Sequence, residues 1–420
     1  MVDFNLINNY MMLNEYLTPR KIMYGEKEGF CIGPYGYKEF LEFKSELIKH
    51  SSKLVINLGK YLKSFDEKPI YLSFCNQLTS LLESEMSMTL EDISSTHGLT
   101  TIRNSYDVIK SRIYSEIEGT LSIESVQTTR KRVAGLDSGK IQPESKNDQI
   151  VKNMIEGVKF VLSNPAFNKE NLRKLYELLS RDSLEDDYKL REDGLYRYDE
   201  VEIDGYAGCP HEKIEGCMDS LFSFVEKAKE IKMSHLLHFM LPHIAHYYIV
   251  YIHPYFDFNG RTARMVSFWI SRLLDIDSLA IVSEAIDQTK NRYYEALRNS
   301  RNSNNDITYF LIYLSEISID YYNCYKNLEE IDQRLKNECV VLTEAERSYF
   351  KKILISNKGK FTYRDFANWI KASISKQGIF KILNTLEGHG LLKSVQSGNN
   401  KLFYVNSEMI TYRMGNYQGK

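Results

Sequence analysis

The sequence predicts a mainly α-helical protein with a multi-helix core, a β-hairpin beside that core and a C-terminal winged helix-turn-helix domain. Three observations lead to this prediction. Apolar residues recur at helical spacing along most of the chain, residues 195–205 alternate with a period of two, and three helical segments before two short strands complete the chain. Because an isolated hairpin in a helical chain is poorly stabilised by itself, we expect it to border a site, a surface hairpin without function being the alternative.

The composition limits the class of protein. The 420 residues leave room for two or three domains, and 43% hydrophobic with 26% charged residues is typical of a soluble globular protein. The segment from Met233 to Phe256 lacks Asp, Glu, Lys and Arg, but its five histidines and two prolines favour a buried core helix over a membrane span. Six cysteines without a CxxC pair fit a reducing compartment, and no signal peptide is expected, so we predict a cytoplasmic protein.

We divide the chain into three predicted regions. Residues 1–100 are helical and carry no motif, residues 101–335 form the core domain, and residues 341–408 form the winged helix-turn-helix domain with Ser375–His389 as its recognition helix. Residues 341–420 hold 13 Lys and Arg against 5 Asp and Glu, a net charge of +8, within a chain whose total is −2. This asymmetry predicts a DNA partner for the last domain, with a protein partner as the alternative.

One short stretch places phosphate-binding groups between two apolar helical patterns. Residues 259–261 come just before a predicted helix that starts near Thr262, and a helix N-terminus binds anions. Gly260 allows the backbone geometry of an anion-binding nest. Arg261 and Arg264 add guanidinium groups that suit phosphate oxygens. We therefore predict a phosphate site at this junction.

The same stretch contains a histidine and a carboxylate. His253 ends the preceding helix and is a candidate general base for an attacking hydroxyl. Asp257 is a candidate ligand for a Mg²⁺ ion that bridges phosphates. Each residue alone also fits a capping, turn or surface role, but their order at one helix junction favours a functional site.

A helical pattern from Asn104 to Ile117 precedes the core, and Gly119 is placed to end that helix as its C′ residue. Glu118 then lies at the helix C-terminus, where the helix dipole disfavours negative charge. A cation partner would explain this placement, although spacing alone favours a solvated glutamate.

The stretch from His253 to Arg264 resembles the signature of the Fic (filamentation-induced-by-cAMP) family, His-Pro-Phe-x-Asp/Glu-Gly/Ala-Asn-Gly-Arg-x-x-Arg, with departures at Tyr255 and Phe258. Phe258 replaces a small residue and is expected to crowd or reshape the nucleotide site. The resemblance covers roughly residues 100–330, since the helix before the motif, a later tyrosine pair and the stretch after Gly194 are also similar to the family.

The resemblance implies transfer of AMP from ATP to a Ser, Thr or Tyr hydroxyl of a target protein. On that model His253 is the base and Asp257 holds Mg²⁺. Phosphorylating members of the family, the Doc type, carry Lys in place of Gly260. The implied nucleotide-binding residues are Asn259, Gly260, Arg261, Arg264 and Tyr294, and the implied target-binding flap comprises Leu195, Tyr196, Arg197 and Tyr198.

The family resemblance also implies autoinhibition. Ser115-Glu116-Ile117-Glu118-Gly119 resembles the inhibitory motif Ser/Thr-x-x-x-Glu-Gly/Asn, with Tyr114 where Ser or Thr is usual. In autoinhibited members the glutamate of this motif pairs with the second arginine of the signature. We therefore expect an inhibitory helix at about residues 104–118, with Glu118 regulating the site through Arg264.

Three other functions stay open at this point. One is a DNA-binding regulator that uses the core as a nucleotide sensor, and another is removal of AMP at the same site. The weakest is a metal hydrolase built on His235, His238, His243 and His246, which has no acidic partner nearby. The expected partners are ATP, a hydroxyl-bearing target protein, the protein itself as a target, a second copy in a homo-oligomer, and DNA or protein at the winged helix. No membrane partner is expected.

Overall fold

The protein is mainly helical in the computed structural model, and its two compact units, Met1–Ser315 and Glu316–Lys420, are described separately below. The division into three regions remains a prediction. Within the part of the chain that is described, no helix has the length and apolar character needed to cross a bilayer. The structure describes residues 10–13, 15–23, 37–50, 54–95, 106–163, 165–203, 205–230, 235–274, 283–356, 359–370, 374–398 and 400–412.

Sixteen α-helices lie within these described ranges, with short loops between most of them. In chain order they are α1 Pro19–Met23, α2 Tyr37–His50, α3 Asn76–Ser95, α4 Tyr106–Ile123, α5 Arg130–Asp137, α6 Lys146–Leu162, α7 Lys169–Ser180, α8 His211–Glu230, α9 His235–Ile252, α10 Asn259–Leu273, α11 Ser283–Gln288, α12 Lys290–Asn302, α13 Thr308–Asn337, α14 Glu344–Ser356, α15 Tyr363–Ile370 and α16 Lys376–Gly388.

The described strands form three separate antiparallel pairs. Strands β1 (Val55–Asn57) and β2 (Tyr71–Ser73) pair Ile56 with Leu72. Strands β3 (Glu202–Ile203) and β4 (Tyr206–Ala207) form a minimal hairpin, and β5 (Leu392–Ser397) and β6 (Asn400–Val405) form a longer one. The predicted alternation from residue 195 onward was therefore wrong for Leu195–Tyr198, which lie outside both strands of the first hairpin. The chain turns there at Gly205, whose φ of +82° favours glycine.

Helices α9 and α10 form the centre of the first unit and position the loop between them. Helix α9 buries apolar side chains on all sides, among them Met240, Ile244 and Tyr248, as expected for a core helix. Helix α10 buries Trp269, whose indole N–H donates to the Pro165 carbonyl at 3.0 Å. The predicted start of α10 near Thr262 was three residues late, because the helix begins directly at Asn259.

Helix α4 is longer than predicted, and this changes which of its side chains reach the core. We expected Gly119 to end it, but the helix continues to Ile123. A Cβ atom on Gly119 would lie 2.6 Å from the backbone nitrogen of Glu284 in α11. Glycine is therefore required there because two helices approach closely, rather than because the chain reverses.

In the second unit α14, α15 and α16 are followed by the β5–β6 hairpin. Phe361, between α14 and α15, forms an antiparallel bridge with Phe403 of β6. Buried apolar residues from all of these elements share one core, including Phe350, Phe366, Leu383 and Phe403. The mainly helical fold class is thus as predicted, while the designation of this unit as a winged helix remains a prediction.

A buried ion pair ties the N-terminal helices to the core, although the sequence carried no motif there. The Lys44 ammonium donates to Asp306 Oδ2 at 3.0 Å and to the hydroxyls of Tyr10 and Tyr16 at 2.9 Å each. Both charged side chains have no exposed surface. The ammonium also lies 4.9 Å from the ring centroid of Tyr309. Residues 37–50 are therefore scaffold for the loop that follows α12.

We expect Lys44→Met to lower the free energy of unfolding by about 3–5 kcal/mol, because the Asp306 carboxylate is left buried without its cation. Urea denaturation followed by circular dichroism measures the change. The matched control is Lys38→Met, whose side chain is 87% exposed at 4.0 Å from Glu42, and we expect it to change stability by less than about 0.5 kcal/mol. Equal effects of the two substitutions would contradict the role of the buried pair.

Candidate functional site

A cavity of about 410 Å³ opens between the α9–α10 loop, α12 and the short hairpin. This volume is within the range of pockets that hold small organic ligands. The cavity brings together five of the predicted site residues from two separate parts of the sequence. It is lined by His253, Asn259, Gly260, Arg264 and Tyr294, together with Glu124, Ile203 and Tyr206.

Two residues in left-handed conformation shape the loop between α9 and α10. His253 (φ 55°) ends α9 and Phe258 (φ 65°) precedes α10, and both are conformations that L-residues seldom adopt. Asn259 holds the loop between them, since its side-chain oxygen accepts from the Tyr255 amide at 3.0 Å and its nitrogen donates to the Tyr255 carbonyl at 2.7 Å. The Asn259 amide, predicted as a nucleotide ligand, is therefore already used to fix the loop.

His253 lies at the cavity with its ring largely enclosed. Its Nδ1 atom is buried and has no hydrogen-bond partner among the described residues. Loss of solvent, and then the positive charge of Arg197, lower the pKa of His253 to about 4. The imidazole is consequently neutral at pH 7, the form that a general base requires.

Arg197, predicted for the target-binding flap, is buried behind the α9–α10 loop and bonds to its backbone. Its guanidinium is buried and donates to the backbone carbonyls of His253 (2.9 Å) and Cys209. Its own amide donates to the Pro254 carbonyl at 2.9 Å. The neighbouring Tyr196 is also buried, with its ring 6.1 Å from that of Tyr255. Neither side chain is accessible to a target in this structure.

The other two flap candidates are partly exposed. Leu195 keeps some accessible surface, and Tyr198 packs edge-on against Phe256 at 5.0 Å between ring centroids. The hairpin residues that face the cavity are instead Ile203 and Tyr206. A target-binding role for Leu195 and Tyr198 stays a prediction.

Arg264 is buried against helix α4, where it meets Glu124 rather than the predicted Glu118. Its Nη2 lies 2.7 Å from Glu124 Oε1, and its Nε donates to the Thr120 hydroxyl at 2.7 Å. Burial alone would raise the pKa of Glu124, but the Arg264 charge outweighs this effect and the pKa is lowered. The carboxylate is therefore ionised at neutral pH and neutralises a buried cation.

Glu118 does not contact Arg264, for a geometric reason. It lies on another face of α4, where its Oε2 accepts from Arg130 Nε at 3.2 Å. Thr120 and Glu124 are four residues apart and share the face toward α10 because the helix continues beyond Gly119.

The sequence around Glu124 also fits the inhibitory motif in part. Thr120 and Glu124 have the spacing of the inhibitory motif and supply the threonine that position 114 lacks. Ser125 follows with φ 62°, the left-handed conformation that Gly or Asn adopts at the end of that motif. Serine at this position concealed the match.

Gly260 is required by the approach of Glu124. A Cβ atom on Gly260 would lie 2.6 Å from Glu124 Oε1 and 3.3 Å from Arg264 Nη1. Any larger residue would have to displace the carboxylate or the guanidinium. The absent side chain thus lets an acidic group reach the start of α10.

Phe258 does not crowd the cavity, contrary to the sequence-based expectation. Its side chain is buried, and the Arg261 guanidinium carbon lies 3.4 Å from the centre of its ring. Arg261 Nε and Nη1 are buried without a hydrogen-bond partner in the described part of the chain. Arg261 lines a second cavity of about 50 Å³ beside α4 rather than the larger one. Of the two arginines predicted to bind phosphate, only Arg264 faces the larger cavity.

Asp257 provides an accessible carboxylate at the loop. Its side chain is 56% exposed, and its Oδ1 is 3.7 Å from Arg261 Nη2. Since Mg²⁺ takes oxygen ligands and retains several waters, one exposed carboxylate beside a phosphate site fits such an ion.

The histidines of the hydrolase alternative do not make a metal site in the described structure. His243 and His246 are buried within α9, and His246 Nε2 is 2.9 Å from the Tyr293 hydroxyl. The side chains of His235 and His238 lie outside the described residues.

One family model and several solved structures resemble parts of this chain. Residues 166–271, which include the α9–α10 loop, match the model of the Fic/DOC family. A Fic family protein from Desulfovibrio desulfuricans G20 has a similar structure, with 18% identity, a TM-score of 0.48 and coverage of 78% of this chain and 96% of that chain. Residues 134–508 of Fic-1 from C. elegans are also similar, with 18% identity, a TM-score of 0.45 and coverage of 57% of this chain and 69% of that chain. No curated protein matches the chain.

The lowered pKa of His253 gives a direct test of the site. Because the folded-state pKa lies below the ordinary 6.5, the folded protein disfavours the protonated ring, and acid should weaken folding as the pH falls from about 6.5 toward 4. We expect NMR of ¹³C-labelled histidine to give a titration midpoint below pH 5 for the resonance that His253→Gln removes. A midpoint near 6.5 would contradict the enclosed, neutral imidazole.

Proposed function

Because residues 166–271 match the model of the Fic/DOC family, which generally transfers AMP or other nucleoside monophosphates to proteins, we propose that this chain moves AMP from ATP to a protein hydroxyl. The observation that carries the proposal is the common cavity of His253, Gly260, Arg264 and Tyr294. A neutral base, a helix N-terminus and a buried guanidinium facing one space are what phosphoryl chemistry requires.

The proposed reaction gives each of these groups a role. His253 takes the proton from the Ser, Thr or Tyr hydroxyl of the target, whose oxygen attacks the α-phosphorus of ATP. The bond from this phosphorus to the bridging oxygen breaks, and pyrophosphate leaves. Arg264 offers its positive charge to the terminal phosphate, and Tyr294 offers a ring to the adenine. Asp257 would hold Mg²⁺, which neutralises phosphate charge when it is bound.

We further propose that the described conformation is autoinhibited, and that Glu124 is the inhibitory glutamate in place of Glu118. The support is the 2.7 Å contact between Glu124 and Arg264. While this ion pair is formed, the guanidinium is neutralised and a carboxylate occupies the phosphate end of the cavity, where it repels the anionic nucleotide. Separation of α4 from α10 would release Arg264 to ATP.

Glu124→Gly should therefore activate the protein, and Glu118→Gly should not. We expect the Glu124 variant to take up at least about tenfold more label from α-³²P-ATP with Mg²⁺ in a self-modification assay, because one charge-assisted contact of about 1.5–3 kcal/mol no longer competes for Arg264. His253→Ala in the same background should abolish uptake.

The outcomes separate the two parts of the proposal. Equal labelling of the two glutamate variants would contradict autoinhibition by Glu124 but not the transferase activity. If calorimetry shows that the folded Glu124 variant binds no ATP, this result would contradict the proposed transferase activity. Label from γ-³²P-ATP in place of α-³²P-ATP would indicate phosphorylation instead of AMP transfer.

Phe258 gives a second prediction within this function. Since its ring lies under the Arg261 guanidinium, it holds that cation away from the larger cavity. In the Glu124→Gly background we expect Phe258→Gly to lower the KM for ATP about tenfold, on the scale of one charge-assisted hydrogen bond gained by Arg261. The control Phe256→Gly leaves Arg261 in place and should not lower KM. An unchanged KM in both variants would show that the stacking has no influence on the nucleotide.

A further inference from the structure

Helix α16 in the second unit presents a long polar face that none of the chemistry above uses. Its buried side is apolar, formed by Ile379, Leu383 and Leu386. Its outer side exposes Lys376, Gln377, Lys381, Asn384 and Gly388, which span about half of the helix circumference at 100° per residue.

The positive charges at this face are not neutralised by neighbouring carboxylates. Lys376 Nζ and Arg364 Cζ lie 5.0 and 5.8 Å from the ring centroid of Tyr363, so α15 and α16 place two cations close together. Together with Lys381 they have no ion-pair partner within the described part of the chain.

The one acidic residue on this side is held by the hairpin. Glu387 Oε2 accepts from Lys401 of β6 at 2.7 Å, and Lys401 also lies 3.3 Å from Asn384 Oδ1. The hairpin therefore lies alongside α16 and cancels the negative charge. At Gly388 an added Cβ would meet no atom within 4 Å, so the end of the helix is open to a bulky ligand.

We propose that this surface, defined by Arg364, Lys376, Lys381, Gln377 and Asn384, binds duplex DNA with α16 in the major groove. A helix of 10–12 Å diameter fits a groove about 12 Å wide. The two amide side chains near the centre of the exposed face supply the paired donor and acceptor that read adenine, and the three cations contact phosphates.

DNA fits this surface better than the alternatives do. A protein interface needs an apolar or aromatic centre, whereas the large hydrophobic side chains exposed among the described residues of this unit are Val341 and Val395, neither of them on α16. Duplex RNA has a major groove too narrow and deep for a helix. The proposal does not depend on the transferase, since it uses no residue of the first unit.

Fluorescence anisotropy of the full-length chain with a labelled duplex of about two helical turns tests the proposal. If three phosphates are neutralised, the affinity should fall about 40-fold between roughly 50 and 200 mM salt, because each contact contributes a slope of about −0.9. Arg364→Gln/Lys376→Gln/Lys381→Gln should remove most of this salt dependence. The matched control, Lys131→Gln/Lys140→Gln/Lys146→Gln, removes three exposed charges from the first unit and should leave binding unchanged.

Sequence reading is tested separately by selection from a random duplex pool. We expect Gln377→Ala/Asn384→Ala to retain salt-dependent binding and to lose the base preference of the wild type. Absence of DNA binding by the folded protein at 50 mM salt would overturn the proposal. Equal weakening by the control triple, or equal affinity for duplex RNA, would also overturn it, because charge alone would then explain the binding.

Discussion

The buried guanidinium of Arg264 is the constraint on which the rest of the site depends. A cation enclosed between two helices is costly unless it is hydrogen-bonded and neutralised, and α4 does both through Thr120 and Glu124. These contacts fix the register of α4 against α10. They also explain two glycines, because Gly260 leaves space for the carboxylate and Gly119 lets the same helix approach α11.

The loop that carries His253 is held in an unfavourable backbone conformation by its surroundings. Left-handed residues at both ends cost free energy that an isolated loop would relax. Here the two ends belong to core helices, Asn259 bonds across the loop, and Arg197 binds its first carbonyls from outside. The histidine is therefore presented in a fixed orientation with little solvent, and its lowered pKa follows from the same enclosure.

The sequence was informative about the site where a combination of residue types has few possible roles. The order of residues 253–264 pointed to the junction of two core helices, where the structure has a cavity lined by His253, Gly260 and Arg264. Reasoning from the sequence failed where the role of a side chain depends on which residues pack against it in the fold. Glu118 lies in α4, Glu124 directly follows its last residue, and both pair with arginines, so only the packing of α4 shows which arginine each one meets.

Other errors have the same origin. Arg197 and Phe258 belong to stretches that the sequence assigned to the site, but the direction of a side chain depends on backbone torsions that periodicity does not encode. Lys44 and Asp306 are 262 positions apart in the sequence, and no local sequence pattern around either residue predicts that they pair. Long-range electrostatic partners of this kind are read from a fold and not from a motif.

That same pair has a consequence for how such a protein changes over generations. A lysine and an aspartate that are enclosed together cannot be lost one at a time without a folding penalty, so the first fifty residues and the segment after α12 must be inherited as one block. Recombination that exchanged the N-terminal helices alone would separate the partners. Helix α2 is in this sense an obligate part of the first unit, although its described residues do not line the cavity.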